Sequence, residues 1–86
     1  MLTIWKYTLQ PECDVQVPVA SKVLSVHEQH GDVNLWALVD PSNELITRHF
    51  SVYGTGHEVP AHPGEFIGTV HIHGGALVFH VFERKG

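Results

Sequence analysis

The chain has 86 residues, 43% of them hydrophobic and 16% charged, with a formal net charge of −4. That length supports one domain over residues 1–86, and the apolar share excludes a disordered chain. Fixed positive charge is confined to Lys6, Lys22, Arg48, Arg84 and Lys85. This is too little to follow a phosphate backbone, so duplex nucleic acid is excluded as a partner.

Taken in chain order, the elements read as strands. Val, Ile, Thr and aromatic residues alternate with period two in nearly every segment, and no stretch has helical spacing. Leu2 to Leu9 is the first expected strand, with Trp5, Tyr7 and Leu9 on one face. Gln10-Pro11-Glu12 breaks it. Val15, Val17 and Val19 then alternate with Asp14, Gln16 and Pro18, and Pro18, which cannot donate to a ladder, places this strand at an edge or ends it there. Lys22 to His30 follows, with Leu24 and Val26 expected inward. Gly31 marks a hairpin tip, because it supplies the positive φ of a tight turn. Val33 to Val39, VNLWALV, is apolar on both faces, as in a central strand or one covered by another chain. With the low charge content, this favours a homodimer.

Asp40 to Glu44 is a turn on composition. Leu45 to Tyr53 is the next strand, with Ile46, Phe50 and Val52 inward and Arg48 on the same parity. Gly54 to Glu65 is the one long loop. Phe66 to His73 and Ala76 to Glu83 close the chain as a hairpin about Gly74-Gly75, and the tail Arg84-Lys85-Gly86 is expected to fray. The expected fold is all-β: a small antiparallel sandwich or partly open barrel of about seven strands.

Two stretches carry candidate chemistry. In the closing hairpin the turn sets His73 opposite Ala76, His71 opposite Val78 and Thr69 opposite His80. Phe66, Val70, Ile72, Leu77, Phe79 and Val81 then form the core face. The other face carries His71, His73 and His80, and three neutral imidazoles on one face suit zinc or another divalent metal. No HExxH or CxxC spacing accompanies them, and a half-exposed polar face with scattered histidines is the simpler explanation. The second stretch is Gly54-Thr55-Gly56-His57, where glycines about Thr55 form a candidate anion-binding nest. With Arg48 and His80 it would take a phosphate or nucleotide. No helix follows to add its dipole, and a stiffened crossover between strands is the competing explanation.

Catalysis finds little support. The lone Cys13 excludes an internal disulfide and a thiol-based zinc site, and Glu12 and Asp14 beside it disfavour a thiolate. No serine stands in a nucleophile elbow, and no acidic pair is evident. The opening MLTIWKYTLQ lacks a basic region leading into an apolar run, and no apolar run reaches membrane-span length. A soluble, cytoplasmic protein is expected.

The blocks LWALVDP (35–41), VYGTGH (52–57), FIGTV (66–70) and HVFE (80–83), preceded by IWKY and VPVASKVLSV, resemble a family of small uncharacterised bacteriophage and prophage proteins. The resemblance covers nearly the whole chain and is most specific at GTGH and HVFE. It implies a phage-type accessory protein and brings no assigned activity. His71 and His73 lie outside those blocks, which moves weight to His57 and His80. The leading expectation is a non-enzymatic binding protein that inhibits or modulates a host protein, such as a defence component. A small-ligand binder is the alternative, and a metal protein a distant third.

Overall fold

The computed structural model describes residues 1–84; Lys85 and Gly86, expected as part of the tail, lie outside the described residues. Seven strands are present: β1 (Thr3–Thr8), β2 (Glu12–Pro18), β3 (Lys22–Gln29), β4 (Asp32–Val39), β5 (Leu45–Gly54), β6 (Glu65–Ile72) and β7 (Leu77–Arg84). They form a three-stranded sheet in the order β1-β4-β3 and a four-stranded sheet in the order β2-β5-β7-β6, antiparallel at every pairing. The fold is an all-β sandwich, not a closed barrel. No helix of the described residues is long and apolar enough to cross a membrane.

Local chemistry sets each corner. The β3–β4 hairpin turns on His30 and Gly31, whose φ values of 57° and 81° define a primed two-residue turn. Asn34 clamps it. Its amide donates to the carbonyls of Gln29 and Asp32 and its oxygen accepts from Thr8 Oγ1, so a polar side chain that is 2% exposed is fully paired. At Asp40–Ser42 the Ser42 hydroxyl and amide both donate to the Asp40 carboxylate, which holds that carboxyl below its ordinary pKa. The β6–β7 hairpin closes with the Ala76 amide on the His73 carbonyl (3.2 Å) about Gly74 and Gly75, both at positive φ.

The core lies between the sheets. β4 gives Val33, Leu35, Ala37 and Val39; β2 gives Val15 and Val17; Leu9, Val26, Phe50, Val70, Ile72 and Val81 complete it. β4 is central in its sheet and β2, carrying Pro18, is an edge, both as its residues require.

Two bulges correct the expected faces. The β3–β4 register shifts between Val23 and Ser25, so Leu24, expected inward, is 45% exposed and Val23 packs on the core in its place. The β6–β7 register matches expectation from Ile72↔Leu77 to Thr69↔His80 and then shifts between Phe66 and Gly68. That extra residue turns Phe66 outward, where it is 54% exposed, and lets Ile67 pack on the core. Leu77, at the hairpin end, is also exposed, as is Ile46 near the start of β5.

Glycine permits two close approaches. A Cβ at Gly68 would stand 2.7 Å from Val26 Cγ2, so the glycine at the β6 bulge lets the β3 and β6 edges meet. Gly64 has φ +103°, and a Cβ there would meet the Glu83 carbonyl oxygen at 2.2 Å. Both the left-handed backbone and the contact exclude a side chain.

Candidate functional site

The turn after β5 is built by its glycines. The His57 amide donates to the Gly54 carbonyl (3.0 Å) with Gly56 at φ +89°, the pattern of a type II turn. The Thr55 amide donates to the Val78 carbonyl (3.0 Å) and ties the turn to β7. The His57 ring lies over Gly54 so closely that a Cβ there would stand 2.8 Å from Cε1. Beside it is a shallow hollow of about 310 Å³ lined by Gly54, Thr55, His57, Ala76, Leu77, Val78 and Phe79.

From this turn a chain of polar side chains crosses the outer face of the four-stranded sheet. His80 Nε2 lies 2.8 Å from Thr55 Oγ1, and His80 Nδ1 lies 3.1 Å from Thr69 Oγ1. Thr55 Oγ1 also donates to the Val78 carbonyl at 3.4 Å. For a neutral ring one assignment satisfies all three contacts: His80 Nε2–H donates to Thr55, and Nδ1 accepts from the Thr69 hydroxyl. The same face carries an aromatic row across β5, β7 and β6. Tyr53 meets Phe82 edge-on at 5.8 Å, and Phe82 meets Phe66 at 5.4 Å.

The fold thus gathers Gly54, Thr55, Gly56, His57 and His80. It does not gather Arg48 with them. Arg48 is six residues back along β5, about 20 Å at the rise of a strand. Its guanidinium binds Glu83 twice, Nε to Oε2 at 2.6 Å and Nη2 to Oε1 at 2.7 Å, and Nη1 donates to the Ser21 carbonyl at 2.8 Å. Two of the three amides of the expected nest, those of Thr55 and His57, are already spent on protein carbonyls. The expected triad of His71, His73 and His80 is likewise not assembled. His73 is drawn into the turn at φ +55°, and His80 is held between threonines. Among the described residues no three His, Cys, Asp or Glu side chains gather as a metal site.

Glu83 shares the inward parity of Phe79 and Val81, but only the β5–β7 pairing brings it to Arg48. It is 6% exposed and faces Glu65 across β6–β7, and both carboxylates bear on Arg48 and raise its pKa, with the Glu83 hydrogen bonds the main cause. The Arg48 carbon lies 5.8 Å from the Phe50 ring centre. Tyr7 reaches the same region. Among the described residues its hydroxyl is buried without a hydrogen-bond partner, and burial raises its pKa against the opposing field of Arg48. Open hollows of about 440 Å³ and 330 Å³, each lined in part by Arg48 and Glu83, border the pair. The one early signal was parity: an arginine on the inward set of an apolar strand requires a buried acidic partner.

A family described as a domain of unknown function, DUF7352, matches residues 1–86. The chain belongs to that family. It matches no curated protein and no solved structure. The family covers every residue of both polar clusters, and its description carries no activity for either.

Proposed function

We propose that the protein is a binding protein without catalytic chemistry, and that it meets its partner through the outer face of the four-stranded sheet around His80. One observation carries this: both His80 nitrogens are spent on threonine hydroxyls. The ring is fixed in place and keeps no nitrogen for proton transfer, which suits recognition better than acid–base work. Phe66, 54% exposed and edge-on against Phe82, supplies an aromatic anchor of the kind that dominates interface cores.

The partner in this proposal is a protein. Net charge −4 favours a basic surface over a phosphate ligand. The phosphate alternative has lost Arg48 to Glu83 and two amides to backbone carbonyls. A phage origin, and with it a host target such as a defence component, belongs to the same proposal; its support is the resemblance at residues 35–41, 52–57, 66–70 and 80–83.

The test has two arms. Thermal shift with inorganic phosphate, nucleotides and zinc is expected to be flat, and a saturable rise with any of them replaces the proposal with a small-ligand function. Capture from host-cell extract is expected to retain a protein that the Phe66→Ser/His80→Ser variant loses. Nothing above background, or equal retention by the variant, overturns it.

A further inference from the structure

The sandwich has four edge strands, and three are defended. β2 carries Pro18 together with Glu12 and Asp14, the latter paired with His49. β3 bulges at Leu24 and β6 at Ile67. Prolines, charges and bulges are the devices by which sheet edges avoid pairing with other chains.

β1 has no proline and no bulge, and it carries one charge. It pairs with β4 without irregularity over Thr3–Thr8, from Thr3↔Val39 to Thr8↔Asn34, and its other side is the open edge of the three-stranded sheet. Its single charge is turned away from that edge, because Lys6 Nζ reaches back over β4 to Gln29 Oε1 on β3 at 2.6 Å. Ile4 is 55% exposed and Trp5 37% exposed. Leu24, exposed by its bulge, extends the apolar surface across the sheet, with Trp36 and Leu38 half-buried beside it.

We infer that β1 is a self-association edge, at which two copies of this chain join antiparallel to make one continuous six-stranded sheet. The occupant is a second copy because the strand complements itself. An antiparallel pairing about a two-fold axis perpendicular to the sheet keeps each side chain on its own face. With the axis at Trp5, Lys6 stands opposite the partner's Ile4, so no like charges meet. A foreign strand would gain the same backbone bonds, but nothing on this edge selects one by charge. The seam is short. A stable pair buries about a tenth of a small protein's surface per partner, which for 5468 Å² is about 550 Å². A seam of six residues that buries less than this associates in the micromolar range. The inference is independent of the function proposed above, which uses the opposite sheet.

Sedimentation from about 1 to about 500 µM spans the expected range. Wild-type mass is expected to double across it, and Ile4→Lys to raise the dissociation constant at least about tenfold. Leu45→Lys, an equally exposed apolar position on β5, is expected to leave it unchanged. Wild-type amide exchange over residues 3–8 should slow with concentration while residues 12–18 stay constant, a readout that holds even where a variant folds poorly. A monomer throughout, equal effects of the two lysines, or protection moving to β2 overturns the inference.

Discussion

Arg48–Glu83 and Thr55–His80 are the same kind of pair: both reach diagonally onto β7, Arg48 from β5 and Thr55 from the turn that follows it, one near each end of the β5–β7 ladder. They differ in the face they occupy. Arg48 and Glu83 point inward, with side chains 19% and 8% exposed, and carry opposite full charges. Thr55 and His80 lie on the outer face, where the imidazole meets an uncharged hydroxyl. A buried charge must have its partner or it costs several kcal/mol, whereas an exposed hydroxyl can turn to water. The inward pair is therefore a structural lock, and the outward one is free to be recognised.

The largest expected effect is at the lock. Glu83→Ala leaves the Arg48 guanidinium without its bidentate acceptor and is expected to cost about 2–3 kcal/mol, below the full value for a buried pair because open hollows border it. The urea midpoint measures it. A cost under about 1 kcal/mol would place the pair among ordinary surface ion pairs and erase the contrast.

Next comes Tyr7, the buried hydroxyl without a partner. Tyr7→Phe removes an unsatisfied group while keeping the ring, so a gain of about 1 kcal/mol is expected. The pH dependence sharpens the test. Burial raises the folded-state pKa above the ordinary 10.0. The unfolded chain then releases its proton first, so stability is fully present below about pH 10 and lost as pH rises through the folded value. Tyr7→Phe should flatten that alkaline fall, and an identical decline in both proteins would assign the proton elsewhere.

The two regions were not equally legible in the sequence. Strand positions, the Gly74-Gly75 turn and the Thr69–His80 register follow from local alternation and turn chemistry, which act within a few residues. Leu24 and Phe66 escape that reasoning because a bulge adds one residue without changing composition, and every side chain beyond it changes face. Arg48 invited a ligand because its partner is 35 positions away in the chain. Only the β5–β7 pairing, which skips β6, makes Glu83 its neighbour. Thr55 and His80 were adjacent in expectation only as members of one region; their bond depends on the Thr55 amide seating the turn against Val78.

The smallest effect belongs to the outer cluster and tests it most finely. Thr69→Val removes the hydroxyl that donates to His80 Nδ1 and keeps the β-branched shape that suits β6. Being exposed, the position should cost less than about 0.5 kcal/mol. The ring should nevertheless respond. In the wild type the neutral imidazole is held with its proton on Nε2, because Thr55 spends its own proton on the Val78 carbonyl and accepts at His80. The Thr69 hydroxyl can donate or accept, so it is Thr55 that sets the tautomer, and Thr69→Val should loosen the ring while nitrogen-detected NMR still shows the Nε2–H form. The complementary change, Thr55→Val, removes the acceptor at Nε2 and should raise the Nδ1–H tautomer, with the turn amide still anchored to Val78. An unchanged tautomer in Thr55→Val would mean that solvent, not the threonine pair, orients His80, and the fixed ring on which recognition by this face depends would be lost.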